Sequence, residues 1–116
     1  MKLVTKEVME ALPGIGSQES LGEDAIAHVK FFCPWSNWTW YASEAAAVLD
    51  NGTETSLHEA LATKAKIEDV LFFGVVAGHE REYGYFSLRE LESVRGMGGL
   101  KIERDIYWRP RPLREC

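Results

Sequence analysis

The chain has 116 residues, 46% hydrophobic and 27% charged, with a formal net charge of −5. That balance belongs to one globular domain with its own core and excludes a disordered chain. Net negative charge argues against non-specific duplex DNA binding, which depends on neutralising many phosphates.

The opening residues, Met1-Lys2-Leu3-Val4-Thr5-Lys6-Glu7, carry no apolar stretch of a signal peptide, and the longest apolar run, residues 70–78, is about half of a membrane span. The expected location is the cytoplasm, with no membrane partner. A first helix is predicted over residues 6–12, with Thr5 as N-cap, Glu7 in its first turn and an apolar stripe of Val8, Met9 and Leu12. Pro13-Gly14 ends it, and residues 14–24 read as a surface connection.

Residues 25–33 alternate as a strand, with Val29, Phe31 and Cys33 on one face and His28, Lys30 and Phe32 on the other. Pro34 stops it. Trp35-Ser36-Asn37 turns the chain into a second strand over residues 38–42. A third strand is predicted over residues 70–77, whose continuous apolar character suits a central position. Residues 78–81 form a tight turn into a fourth strand, residues 82–86.

Between strands two and three, the alanine-rich residues 43–50, the turn Asp50-Asn51-Gly52 and the capping box opening at Ser56 read as one excursion. Ser87-Leu88-Arg89-Glu90-Leu91 is the clearest local signal, a second capping box stapled by Phe86 and Leu91. It opens a helix expected to carry Arg95 at its negative end and to stop at Gly96. A last strand is predicted over residues 101–108, followed by an extended tail, residues 109–116.

The resulting expectation is a single α+β domain: an antiparallel, roughly five-stranded sheet with two main helices packed on one face. Charge is uneven along it. Residues 1–80 carry 5 Lys/Arg against 12 Asp/Glu, and residues 81–116 carry 8 against 6.

Two constellations stand out as sites. The first is Trp35-Ser36-Asn37-Trp38-Thr39-Trp40-Tyr41. Strand parity assigns Trp38 and Trp40 to the core and leaves Trp35, in the turn with Asn37, as an exposed contact able to stack a base, a sugar or a partner's side chain. The second is Glu103-Arg104-Asp105. Alternation sets Arg104 among apolar neighbours, where it needs a carboxylate from Glu92, Glu44 or Glu82, or else binds a ligand's carboxylate or phosphate.

The binding set read from the sequence is therefore Trp35, Asn37, Tyr41, Arg104 and Asp105. Its partner is expected to be a protein or single-stranded nucleic acid. An enzymatic alternative joins Glu103, Arg104 and Asp105 to His79 or Tyr107. A further alternative is an acidic decoy that inhibits a DNA-binding enzyme. His28, His58 and His79 show no metal-ligand spacing, and Cys33 and Cys116 no Cys-x-x-Cys, so no metal and no cofactor is expected.

The aromatic block from Phe31 to Tyr41, with Phe72-Phe73-Gly74, Tyr83-Gly84-Tyr85-Phe86-Ser87-Leu88, Glu90-Leu91-Glu92-Ser93 and Ile102-Glu103-Arg104-Asp105, resembles the domain-of-unknown-function family 2958 over nearly the whole chain. The departure is residues 45–69, which look longer than the family's usual connection and are on that ground expected to be peripheral and mobile. The family consists of small bacterial proteins, often borne on plasmids and other mobile elements. The resemblance implies a cytoplasmic accessory role in element maintenance, transfer or host-defence interplay, and it brings no catalytic residues.

Overall fold

The structure, a computed structural model, describes residues 2–116. The extended Thr5 accepts the Val8 amide on its hydroxyl at 3.3 Å and opens helix α1 (Lys6–Ala11). The following connection is more ordered than its composition implies. It turns at residues 15–18 and forms a 3-10 segment, Glu19–Asp24, before strand β1 (Ile26–Ala27). His28 interrupts the predicted strand, and β2 (Val29–Phe32) continues with Val29 and Phe31 buried.

β3 (Thr39–Leu49) runs seven residues past the predicted end of the second strand. A short β4 (Glu54–Thr55) pairs back on it, and Ser56 caps helix α2 (Leu57–Thr63) by accepting the Glu59 amide. β5 (Ile67–Ala77) and β6 (Arg81–Ser87) form a hairpin. Ser87 then caps α3 (Leu88–Ser93) by accepting the Glu90 amide at 3.1 Å. β7 (Glu103–Arg104) and β8 (Arg111–Pro112) complete the chain.

The fold is α+β, as expected, with every strand pair antiparallel. The main sheet has six strands in the order β6-β5-β3-β2-β7, with β4 attached to β3, and β1 and β8 form a separate ribbon. Three helices, rather than two, contribute to the core on one face of the sheet. Leu12 follows α1, Leu57 and Ala60 come from α2 and Leu91 from α3. They meet Val29, Phe31, Ala45, Ala47, Val70, Phe72 and Phe86. Phe31, Phe72 and Phe86 pack ring against ring, with centroids 5.2 to 6.5 Å apart. The opposite face carries a smaller cluster of Ala25, Ala27, Val75 and Leu113, flanked by Tyr41 and Trp108.

The largest correction concerns residues 45–69. Residues 45–49 and 67–69 lie inside β3 and β5, and Ala45 and Ala47 are fully buried. Only residues 50–66 leave the main strands, and even there Leu57 and Ala60 are core. Alanine has low strand propensity, so the run carried no strand signal. In the fold its small side chains leave room for α2 above the sheet.

A bulge makes this possible. Ala42 pairs with Gly74 and Glu44 with Phe73, so Ser43 is the extra residue. Past it the alternation changes phase: Ala42, Ala45 and Ala47 share the helix-covered core, and Glu44 turns to the other face. Gly74 is required opposite, since a Cβ there would collide with the Tyr41 carbonyl.

The predicted last strand also shortens. Asp105 accepts the Tyr107 amide on its carboxylate at 2.9 Å, a local turn that competes with the ladder. Ile106 and Tyr107 are thrown out to solvent, and the pairing with β2 is confined to Glu103–Arg104 and the Asp105 amide, which donates to the Lys30 carbonyl at 2.9 Å, while Lys101 bridges Arg95. α3 ends at Ser93, two residues before Arg95, whose guanidinium nonetheless donates to the carbonyls of Glu92 and Val94 near the helix end.

Candidate functional site

Residues 33–38 form a tight connection between β2 and β3. The Cys33 amide donates to the Trp38 carbonyl at 2.9 Å, the Ser36 amide to the Cys33 carbonyl at 3.2 Å, and the Trp38 amide to the Ser36 hydroxyl at 3.2 Å. With three of its amides satisfied within the loop, the connection leaves Ser36, Asn37 and two of its rings exposed. Trp35 and Trp38 are each 38% exposed, and Trp40, the second residue of β3, is half-buried against the core. Trp38 therefore departs from its expected core position, because β3 begins one residue after it.

Both exposed rings are held by glycines. A Cβ on Gly96 would stand 2.7–2.9 Å from the Trp35 ring, and one on Gly78 would stand 2.5 Å from three carbons of Trp38. Each ring thus lies against bare backbone from another part of the chain, Gly96 beyond α3 and Gly78 in the β5–β6 turn. Trp38 further contacts Trp40 at 6.1 Å between centroids and meets His79 edge-on at 5.7 Å.

Three adjoining clefts follow. The middle one, about 400 Å³, is walled by Trp35, Trp38, Trp40, Cys33, Val94 and Ile102. Ile102 also walls a cleft of about 440 Å³ bearing Glu92, Arg95, Lys101 and Glu103. Trp38 also walls one of about 280 Å³ bearing His79, Glu80 and Glu82. An aromatic centre thus lies between two charged ends.

The residues singled out in the sequence do not converge. Trp35 and Asn37 stay together on the exposed connection. Tyr41 lies on the other face, its ring 5.5 Å from that of Trp108, and burial pushes its phenol up from the ordinary value. Arg104 has no carboxylate partner among the described residues. Its guanidinium instead donates to the carbonyls of Lys2 and Leu3, at 3.2 and 3.1 Å, and so pins the N-terminal segment. Asp105 pairs with Lys30 at 3.8 Å. No hydrogen bond among the described residues joins Arg104, Asp105 or Tyr107 to His79.

Sequence reasoning missed a buried polar network on the second face. Glu44, 3% exposed, accepts the amides of Gly16 and Gln18 at 2.7 and 2.8 Å. The Gln18 side chain donates to the Ser43 and Ile26 carbonyls and accepts the Ile26 amide. The one available signal was an acidic residue inside an otherwise small, apolar run. At the rim, Arg81 forms a two-toothed pair with Glu23 at 2.9 Å, which holds the Glu23 carboxyl below its ordinary value.

Among the described residues no group of three or more His, Cys, Asp or Glu side chains is placed to hold a metal ion, and no helix is long and apolar enough to cross a membrane. A family model described as "Protein of unknown function (DUF2958)" matches residues 52–113. That segment includes Phe72 to Gly74, Tyr83 to Leu88 and Ile102 to Asp105, and it leaves out the aromatic block from Phe31 to Tyr41, so the match is shorter than the resemblance implied. Neither the curated proteins nor the solved structures give a match.

Proposed function

This chain belongs to the DUF2958 family of proteins of unknown function, and from that premise we propose that it is a non-enzymatic binding module whose groove of three clefts receives a segment of a protein partner. The observation that carries the reading is the seating of Trp35 and Trp38, two exposed rings fixed on Gly96 and Gly78. Rings held in place before binding lose little freedom on contact, which is the usual character of an interface anchor.

The occupant that fits is an extended segment with an apolar or aromatic residue in the middle cleft and a basic residue beside Glu80 and Glu82. Single-stranded nucleic acid fits less well, since Glu80, Glu82, Glu92 and Glu103 all line the groove and Arg95 already donates to backbone carbonyls. The enzymatic alternative is weaker still, because Arg104 is occupied by the Lys2 and Leu3 carbonyls. The decoy reading suffers from the pairing of its carboxylates: Glu23, Asp24, Glu68 and Asp105 each meet an arginine or lysine.

The proposed setting is the bacterial cytoplasm, as an accessory product of a plasmid or other mobile element, and the family resemblance supports it. The test is selection of a displayed random-peptide library on the purified protein, followed by binding of the enriched peptides to W35A and W38A variants. Enrichment of apolar residues flanked by Lys or Arg, with binding lost in both variants, is the expected result. Equal binding to wild type and variants overturns the groove. Salt-sensitive quenching of tryptophan emission by oligothymidylate, absent with every peptide, moves the site to nucleic acid.

A further inference from the structure

On the face of the sheet that the helices do not cover, a cavity of about 210 Å³ lies between the 3-10 segment, the β3 bulge and β6. It is independent of the aromatic groove. Its apolar wall is Ala25, Phe73 and Leu113, with Tyr83 at the side, and its polar wall is Glu44, Ser43 and Glu19.

Glu44 is the informative member. It is 3% exposed, yet no Lys, Arg or His among the described residues pairs with it. Its two hydrogen bonds come from the backbone amides of Gly16 and Gln18. A carboxylate has about four acceptor sites, so the two amides leave acceptor capacity unused. A buried anion is ordinarily balanced by a cation, because amide dipoles offset only part of its desolvation.

The surroundings select the sign of what can enter. Glu19 adds a second carboxylate to the lining. The nearby cation, Arg81, stands 5.7 Å from the Tyr83 ring and has its charge directed to Glu23. The neighbouring Asp24 is paired with Arg114 outside the cavity.

We propose that this cavity binds a primary ammonium group on a short aliphatic stem, the ammonium against Glu44 and Glu19 and the methylenes against Phe73, Ala25 and Leu113. The cavity has room for a four-carbon stem. The ligand's source is then either a free alkylamine or the tip of a lysine side chain.

The amides of Gly16 and Gln18, bonded to the carboxylate itself, report on occupancy. Amide-resolved NMR of the 15N-labelled protein, titrated with n-butylammonium, is expected to move these two resonances saturably, with a dissociation constant in the millimolar range. 1-Butanol, which has the stem without the charge, leaves them in place. The E19Q variant is expected to weaken butylammonium binding by about threefold, as for a partly exposed charge, and E44Q to abolish it. If E44Q does not fold, the ammonium–alcohol contrast and E19Q decide the matter. Nα-acetyl-lysine methylamide distinguishes the sources: matching shifts identify a lysine side chain, and shifts with butylammonium alone identify a free amine. The proposal is overturned if butylammonium gives no saturable shift at Gly16 and Gln18, or if 1-butanol gives the same one.

Discussion

The ring of Trp38 lies so close over Gly78 that a Cβ at that position would stand 2.5 Å from three of its carbons. Glycine here is a packing requirement, although in the sequence it reads only as the start of a turn. The G78A variant must expel or tilt the ring. The expected outcome is a loss of about 1–3 kcal/mol, the range for overpacking, measured by denaturant unfolding. A red shift of tryptophan emission should accompany it as Trp38 moves into water.

Ala45 tests the extent of β3. It is fully buried in the helix-covered core, and its amide donates to the Pro13 carbonyl at 2.9 Å. A45L adds three carbons where no space exists and is expected to destabilise the protein by about 1–3 kcal/mol. Were residues 45–69 peripheral, the same substitution would be close to neutral, so one thermal melt separates the two arrangements.

His28 gives a pH dependence. Burial pushes its pKa below the ordinary 6.5, so the folded state binds the proton less readily than the unfolded chain. Stability is therefore full above 6.5, falls as pH drops below it, and levels off once the folded-state value is passed. H28Q is expected to flatten that part of the stability–pH curve measured by urea unfolding. Glu23 acts lower down: Arg81, and then Tyr83, depress its pKa from 4.5, so its contribution is present above that value and is lost as pH falls through the folded-state value.

Ser87 ends β6 and caps α3 with one hydroxyl. S87A is expected to lower stability by about 1 kcal/mol, as other lost caps do. S87D, which keeps an acceptor at the helix N-terminus, is expected to recover most of it. Calorimetry of the three proteins orders them wild type, S87D, S87A.

What was legible in the sequence was local. The Ser56 and Ser87 caps, the apolar run of β5 and the turn after Pro34 each depend on neighbours a few residues away; the caps fall on the expected serines, and β5 ends at the expected Ala77 but begins three residues early, at Ile67. What was not legible depends on distant partners. Trp38 is positioned by Gly78 and Trp35 by Gly96, and no spacing in the chain connects those pairs. Arg104 called for a carboxylate on charge grounds but is satisfied by carbonyls of Lys2 and Leu3, some hundred residues away. The predicted strand over residues 101–108 is cut short for the opposite reason, since the Asp105–Tyr107 turn is a local preference that ends the ladder after β7.

The bulge at Ser43 gives β3 a phase as well as a sequence. Its first four residues and the stretch beyond Ser43 are two runs in opposite alternation, spliced at a single serine. A point substitution there leaves the splice intact. Deleting Ser43 makes Ala42 and Glu44 neighbours opposite Gly74 and Phe73, so the ladder closes into unbroken alternation with Ala45 and Ala47 still under the helices, whereas deleting a paired residue such as Glu44 puts the register out by one. Ser43 is therefore the one residue that lets two stretches of opposite sequence parity share a face, and the apolar spacing of β3 is regular once that residue is left out of the count.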